Sequence, residues 1–395
     1  MKILLFTAVF FCFAQCNKGN VPTPDPNVPS APKTVWRVPF SDVIAPTDQP
    51  VIYNDVVVYS KMVNSQESFV AFDKNKGQKL WEWSDGKNSF YNHDYKYAFN
   101  GVLAATTGPK VYGVDIQTGK TKWTVKSPDV GASEIGGIGE NVFHFEEMTV
   151  AGKTVVTLKN ININTGSEAA TWQHTTYDDY QPNFRKVVTW KDTNGDTLLY
   201  FYNQAYTFLP KDSLRLDLYC FNFSKKTQAY KSTFFHSTSG VGVCANEPII
   251  KDGKIYLTVN RRMLCLNQND GKKLWQTQEV TDGNLGFLTV EAGKAFVSND
   301  YKGVYCYDSN TGSLLWQDLD NSSLSSRIAY VNGLIYFTTF GDGFLHIFEV
   351  SSGKKLFKYD LSQGVGFQGV MTLDNTTKKL YLATVKDAIC LEPIR

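Results

Sequence analysis

Ala71-Phe72-Asp73-Lys74-Asn75-Lys76-Gly77-Gln78-Lys79-Leu80-Trp81 reads as a β-hairpin. Asp73 can bond back to the turn backbone, and Gly77 supplies the positive φ that closes it. The ring of Trp81, four residues on, starts the returning strand and can cover its own hairpin and its neighbour. The stretch returns as Gly113-Val114-Asp115 … Gly119 … Trp123, as Cys265-Leu266-Asn267 … Gly271 … Trp275, and as Cys306-Tyr307-Asp308 … Gly312 … Trp316. Weaker copies are Asn160 … Gly166 … Trp172, Cys220-Phe221-Asn222 … Tyr230 and Ile347-Phe348-Glu349 … Gly353 … Phe357.

Successive ring positions are 45, 42, 49, 58, 45, 41 and 41 residues apart, counted from Trp36. A fixed period of this size holds four short strands, one blade of a β-propeller. Upstream of each hairpin come two more strand candidates around a turn. Ile250-Lys251-Asp252-Gly253-Lys254-Ile255 and Tyr330-Val331-Asn332-Gly333-Leu334-Ile335 carry Asp-Gly and Asn-Gly, strong short-range hairpin signals. The last unit stops at Arg395 without its returning strand, and Thr34-Val35-Trp36-Arg37-Val38 supplies one. The expected fold is therefore all-β: an eight-bladed propeller over residues 33–395, four strands per blade, the last blade closed by the N-terminal strand. Its structural ring positions are Trp36, Trp81, Trp123, Trp172, Tyr230, Trp275, Trp316 and Phe357. The composition, with 14% aromatic residues and 30 Gly, suits such a fold.

The Ala-x-Asp-x-x-Thr-Gly-x-x-x-Trp pattern resembles the PQQ-like propeller repeat. The resemblance covers about residues 33–395. That family holds pyrroloquinoline-quinone dehydrogenases and also BamB, a non-enzymatic outer-membrane barrel-assembly lipoprotein. The resemblance implies the second kind of role, because the quinone enzymes carry an adjacent cysteine pair against the cofactor and acidic calcium ligands. This chain has no adjacent cysteines. No cofactor, no catalytic residue and no metal is expected.

Residues 1–16 read as an export signal: Lys2 is followed by an apolar run too short to span a bilayer. Phe13-Ala14-Gln15-Cys16 resembles a bacterial lipobox, with Cys16 as the lipidated residue, but departs from it at Gln15. Cleavage after Ala14 is the competing reading. Residues 17–32 carry five prolines and read as an extended tether. The expected location is the outer membrane or periplasm, with a lipid anchor in the membrane.

Cys220, Cys265, Cys306 and Cys390 occupy one repeat position and are expected to be small buried residues under the rings, too far apart to pair. Gly364-Val365-Gly366-Phe367-Gln368-Gly369 matches a dinucleotide fingerprint, but strand-like segments follow where a helix is required. Asp192-Thr193-Asn194-Gly195-Asp196 resembles the start of a calcium loop and reads better as a hairpin turn. His93, His174 and His236 are expected in blade-connecting stretches, His144 and His346 in strands. With 40 basic and 38 acidic residues and no long basic run, no nucleic-acid footprint is visible.

Function is therefore expected in the loops that crown one face of the ring. The candidate partner-binding residues are Tyr91, His93, Tyr95, Tyr180, Arg185, His236, Arg261, Arg262 and Arg327, and the connection from Asn203 to Leu216 is expected to be a long loop. Two function classes follow. One is a scaffold docking membrane or periplasmic proteins such as the barrel-assembly machinery; the other is a surface module binding a glycan through exposed Tyr residues.

Overall fold

The computed structural model describes residues 31–40, 49–63, 66–86, 96–107, 110–126, 135–151, 153–175, 180–181, 184–207, 213–237, 247–322, 324, 326–339, 343–360 and 371–394. Every regular element among them is a β-strand, and the strands form eight sheets. Each is an antiparallel meander of strands a to d, from the inner strand a to the outer strand d. Blade 1 runs Val51–Tyr53, Val56–Val63, Gln66–Asp73 and Lys79–Trp83. Blade 8 takes Met371–Leu373, Leu380–Ala383 and Asp387–Glu392 from the C-terminus and Lys33–Pro39 from the N-terminus. Trp36 lies opposite Cys390, and Arg37 grips Asp387 through Nε and Nη2 at 3.0 and 2.5 Å. The eight-bladed, N-terminally closed propeller expected from the repeat is the fold.

The recurrent Asp or Asn bonds back to its turn as the sequence indicates, except that in blade 3 the turn residue is Asn162, which accepts from the amides of Asn164 and Thr165, and not Asn160. Asp73 Oδ1 accepts from the amides of Asn75 and Lys76, and Asp308 Oδ1 from those of Asn310 and Thr311. The ring does more than cover its own hairpin. Trp36 Nε1 donates to Lys74 O, Trp81 Nε1 to Ile116 O, Trp123 Nε1 to Ile163 O and Trp316 Nε1 to Val350 O, each at 2.7–3.1 Å. Tyr230 Oη donates to Gln268 O in the same way. Every acceptor directly follows the turn Asp, Asn or Glu of the next blade. The turn glycine of that blade lies flat under the ring. A Cβ on Gly353 (φ +71°) would stand 2.6 Å from the Trp316 indole, and one on Gly119 equally close to that of Trp81. Glycine here satisfies both a left-handed backbone and a close approach.

The buried cysteines complete the device. Cys220, Cys265, Cys306 and Cys390 are the cross-strand partners of Tyr230, Trp275, Trp316 and Trp36, and a β-bulge follows at or beside each pair. Gly113 holds this place under Trp123, where a Cβ would come within 2.0 Å of the indole. All four thiols are free and buried.

Blade 3 breaks the pattern. Trp172 faces Leu158 rather than a small residue, and blade 4 has no glycine in its c–d turn, where Lys226 takes φ +57°. Trp172 instead packs edge-on against Phe184, Phe201 and Tyr219 of blade 4 and stacks on His174 at 5.6 Å. Trp275 lies on Gly312 with its indole N–H unpartnered.

Four expectations about loops are corrected. In blade 4, strands b and c run Thr197–Thr207 and Ser213–Asn222, so most of the span from Asn203 to Leu216 is ladder. Tyr180–Gln181 and Phe184–Lys191 are strands sharing the inner place of that blade. His236 lies in the outer strand Thr227–Ser237, and His174 in Glu168–Thr175. The reason is common to all four. Alternating side chains continue along partners of matching length, so the ladder satisfies backbone groups that a loop would leave to water. His144 and His346 are in strands as expected. Asp192–Asp196 is a hairpin turn: Asp192 Oδ1 accepts from the amides of Asn194 and Asp196, while Asp196 meets Lys225 and Asn222. Gly364–Gly369 lies outside the described residues; the segment after it, Met371–Leu373, is a strand.

Candidate interaction face and axial cavity

Antiparallel order puts all a–b and c–d turns at one end of the blades and all b–c turns and blade-to-blade connections at the other. The first end is occupied by the ring-on-glycine latches. The second is free to vary, and it does. Strand b has 8, 6, 10, 11, 6, 6, 5 and 4 residues in blades 1 to 8. Four extra residues raise the b–c hairpin of blade 3 by about 13 Å over blade 2, and five raise that of blade 4 by about 17 Å over blade 5.

In blade 3 the even-numbered side chains of Asn141–Val150 face blade 2, since Val142 shares a core with Val102, Ala104 and Val111. Above Val142 come His144, Glu146, Met148 and Val150. His144 is fully buried, with Nε2 3.0 Å from Glu168 Oε1, and Lys159 bridges Glu146 (3.0 Å) and Glu168 (3.4 Å). The His144 hydrogen bond, then the Lys159 charge, hold the Glu168 carboxyl below its ordinary value. Above this charged floor blade 2 has ended, so Met148 and Val150 stand 39% and 52% exposed.

Blade 4 repeats the theme on its blade-3 side. Asp217 is buried under Arg215 and Lys231, each at 3.1 Å, and accepts from Thr233 Oγ1 at 2.6 Å. Burial, with Lys231 nearby, keeps the His174 imidazole below its usual pKa.

The expected partner-binding residues fall into three groups. Tyr91, His93 and Tyr95 lie outside the described residues. Tyr180, Arg185 and His236 all fall on blade 4, the first two on its inner strands and His236 on its outer strand, with backbones opposite Thr207, Tyr202 and Leu214. Arg261 is in the b–c turn of blade 5, and Arg262 beside it pairs with Glu279 at 3.0 Å. Arg327 stands apart at the axis, where both of its terminal nitrogens bond the Glu247 carboxylate from two blades away. Met148, Val150 and the charged floors were not singled out from sequence. Their signal was present in the long spacings of 49 and 58 residues that belong to blades 3 and 4.

Inner strands crowd the axis: a Cβ on Gly137 would meet the Tyr97 ring at 2.3 Å. Two adjoining cavities remain there, of about 1020 and 950 Å³, sharing Gln49, Arg327, Thr372 and Asn375. Their walls carry five cationic and five anionic residues. Most are paired within the wall, Lys251 with Glu291 at 2.5 Å and Lys74 with Asp374 at 3.1 Å.

Fold and latch together define a PQQ-like repeat propeller. The chain belongs to the family described as outer membrane protein assembly factor BamB, whose model matches residues 29–184 and 300–390. Among solved structures, BamB from Moraxella catarrhalis is 14% identical with a TM-score of 0.63, over 92% of this chain and 97% of that one. A europium-containing methanol dehydrogenase is 12% identical with a TM-score of 0.65, over 90% and 85%. Saccharomyces cerevisiae Sqt1 is 11% identical with a TM-score of 0.65, over 92% and 100%. At these identities the likeness is one of fold. A comparison with curated protein sequences finds no match.

A quinone does not fit the residues present. No two cysteines are adjacent. The four buried thiols sit in four different blades, each under its own ring, and burial pushes them up to about 11 or 12.

Proposed function

We propose that the protein is a non-catalytic scaffold of the bacterial cell envelope that docks partner proteins on the raised face of blades 3 and 4, in the manner of outer-membrane protein assembly. It is held at the outer membrane by a lipid on Cys16, with residues 17–32 as the spacer. The observation that carries the reading is the overhang of blade 3. Two apolar side chains stand exposed on the hairpin, directly above charges already compensated by their own neighbours. An exposed apolar step rimmed by satisfied polar groups is the anatomy of a protein interface. The surface continues onto the strands of blade 4 that carry Tyr180, Arg185 and His236, and to Arg261 and Arg262 of blade 5.

The test is in-cell crosslinking of the tagged full chain, with mass spectrometry of the captured proteins. Barrel-assembly subunits are expected in the catch, and a Met148→Asp/Val150→Asp variant is expected to lose them while keeping its melting temperature. Capture that the variant leaves intact, or a catch of polysaccharide-handling proteins alone, overturns the proposal.

A further inference from the structure

An axial cavity of about 1020 Å³ lies among the inner strands of the blades. We infer that it takes a short neutral saccharide, a ligand rich in hydroxyl groups and without net charge. The inference goes beyond partner docking and does not rest on it.

Size comes first. About 1020 Å³ is at the upper end of the roughly 300–1,000 Å³ of small-molecule sites, and the walls are inner strands fixed by the ring closure. Charge comes next. Taken over the two adjoining cavities the walls carry five basic and five acidic residues, and six of these ten are joined in the Lys251–Glu291, Arg327–Glu247 and Lys74–Asp374 pairs. A charged ligand that displaced a member of the mostly buried Lys74–Asp374 or Arg327–Glu247 pair would leave the other without its counter-ion, which is costly there. A neutral ligand can bond to the outward lone pairs and N–H groups of intact pairs.

The remaining wall chemistry selects among neutral ligands. Gln49, Asn332 and Asn375 offer amides, each both donor and acceptor, at separate points around the cavity. That distribution suits vicinal hydroxyls, each of which also donates and accepts. Trp190 of blade 4 and Tyr330 of blade 7 are partly buried and line the same space. Tyr330 is backed by Phe296, its ring 6.5 Å away and inclined by 17°. An aromatic body with a polar tip pairs with the C–H face of a pyranose and with its hydroxyl edge. A purely apolar ligand would strip water from the wall amides without replacing its hydrogen bonds.

The experiment is calorimetric titration of the full chain with maltotriose, cellotriose and chitotriose, with trigalacturonic acid as the charged control. One neutral trisaccharide is expected to bind with a Kd of about 0.1–1 mM, and the acid to bind at least tenfold more weakly. Trp190→Ala and, separately, Asn375→Ala are each expected to weaken binding about tenfold or more. Asn375 lies in an a–b turn, so its variant keeps the fold if Trp190→Ala does not. No binding by any neutral sugar, preference for the acid, or affinity unchanged in both variants overturns the inference. The titration contains no partner protein, so its failure leaves the docking proposal standing, and loss of docking leaves the sugar site standing.

Discussion

At the scale of single residues, the propeller is assembled from one repeated contact: a ring, a carbonyl and a glycine. Gly353 and Gly333 separate its parts. Both have positive φ, +71° and +80°, but a Cβ on Gly333 meets nothing within 4 Å while one on Gly353 strikes the Trp316 indole. Gly333→Ala should cost about 1 kcal/mol, backbone strain alone. Gly353→Ala should cost about 2–4 kcal/mol, since the ring must also leave its place. Chemical denaturation of the two variants checks the difference, and equal losses would show that the ring contact is dispensable. The thiols under the rings make a second residue-scale prediction. Burial holds Cys306 and Cys265 up to about 12, so neither forms the reactive thiolate at pH 8. Cys220, Cys265, Cys306 and Cys390 should all stay unlabelled by iodoacetamide in the native protein and become labelled together on unfolding, as read by peptide mapping.

At the scale of elements, the two long hairpins differ from their neighbours in length and in what they bury. Their extra turns of ladder are bought with charge networks at the height where adjacent blades run out. The Glu168 carboxyl is depressed in the fold, chiefly by His144 and then by Lys159. A group whose folded pKa lies below its unfolded value stabilises the fold above that unfolded value. The stabilisation is lost as pH falls through the folded pKa, so the effect belongs to the acid limb below about 4.5. Glu168→Gln should therefore reduce stability at pH 7 and flatten the fall in melting temperature between about pH 5 and 3. An acid limb as steep as the parent's would place the acid sensitivity elsewhere, Asp374 being another depressed carboxyl to replace. The expectation of loops at Asn203–Leu216 and at Tyr180 and Arg185 failed at this scale. A sequence shows that a repeat is longer than its siblings, but the added residues are strand only because a neighbouring strand of equal length is there to pair with them.

For the whole molecule, closure is the decisive contact. Lys33–Pro39 pairs along Asp387–Glu392, its Trp36 reaches across to Lys74 O in blade 1, and Lys74 binds Asp374 back in blade 8. Deleting residues 33–39 should expose the edge of Asp387–Glu392 and strip the ring from Gly77. A melting temperature lower by about 10 °C or more, with a tendency to aggregate, is the expected outcome. A truncated chain that melts like the parent would mean the ring holds without its clasp. The sequence by itself determined the blade count, the closure, the latch residues and the small residues beneath them. Each is a local pattern repeated at fixed spacing, and a turn needs no distant information to declare its glycine. Only the tertiary structure decided that Met148 and Val150 are exposed, that Arg327 meets Glu247 eighty residues away, that His144 is buried against Glu168, and that the axial walls balance their charge. Those properties depend on the heights and inner strands of other blades, and curvature of the ring, rather than spacing along the chain, sets which of them meet.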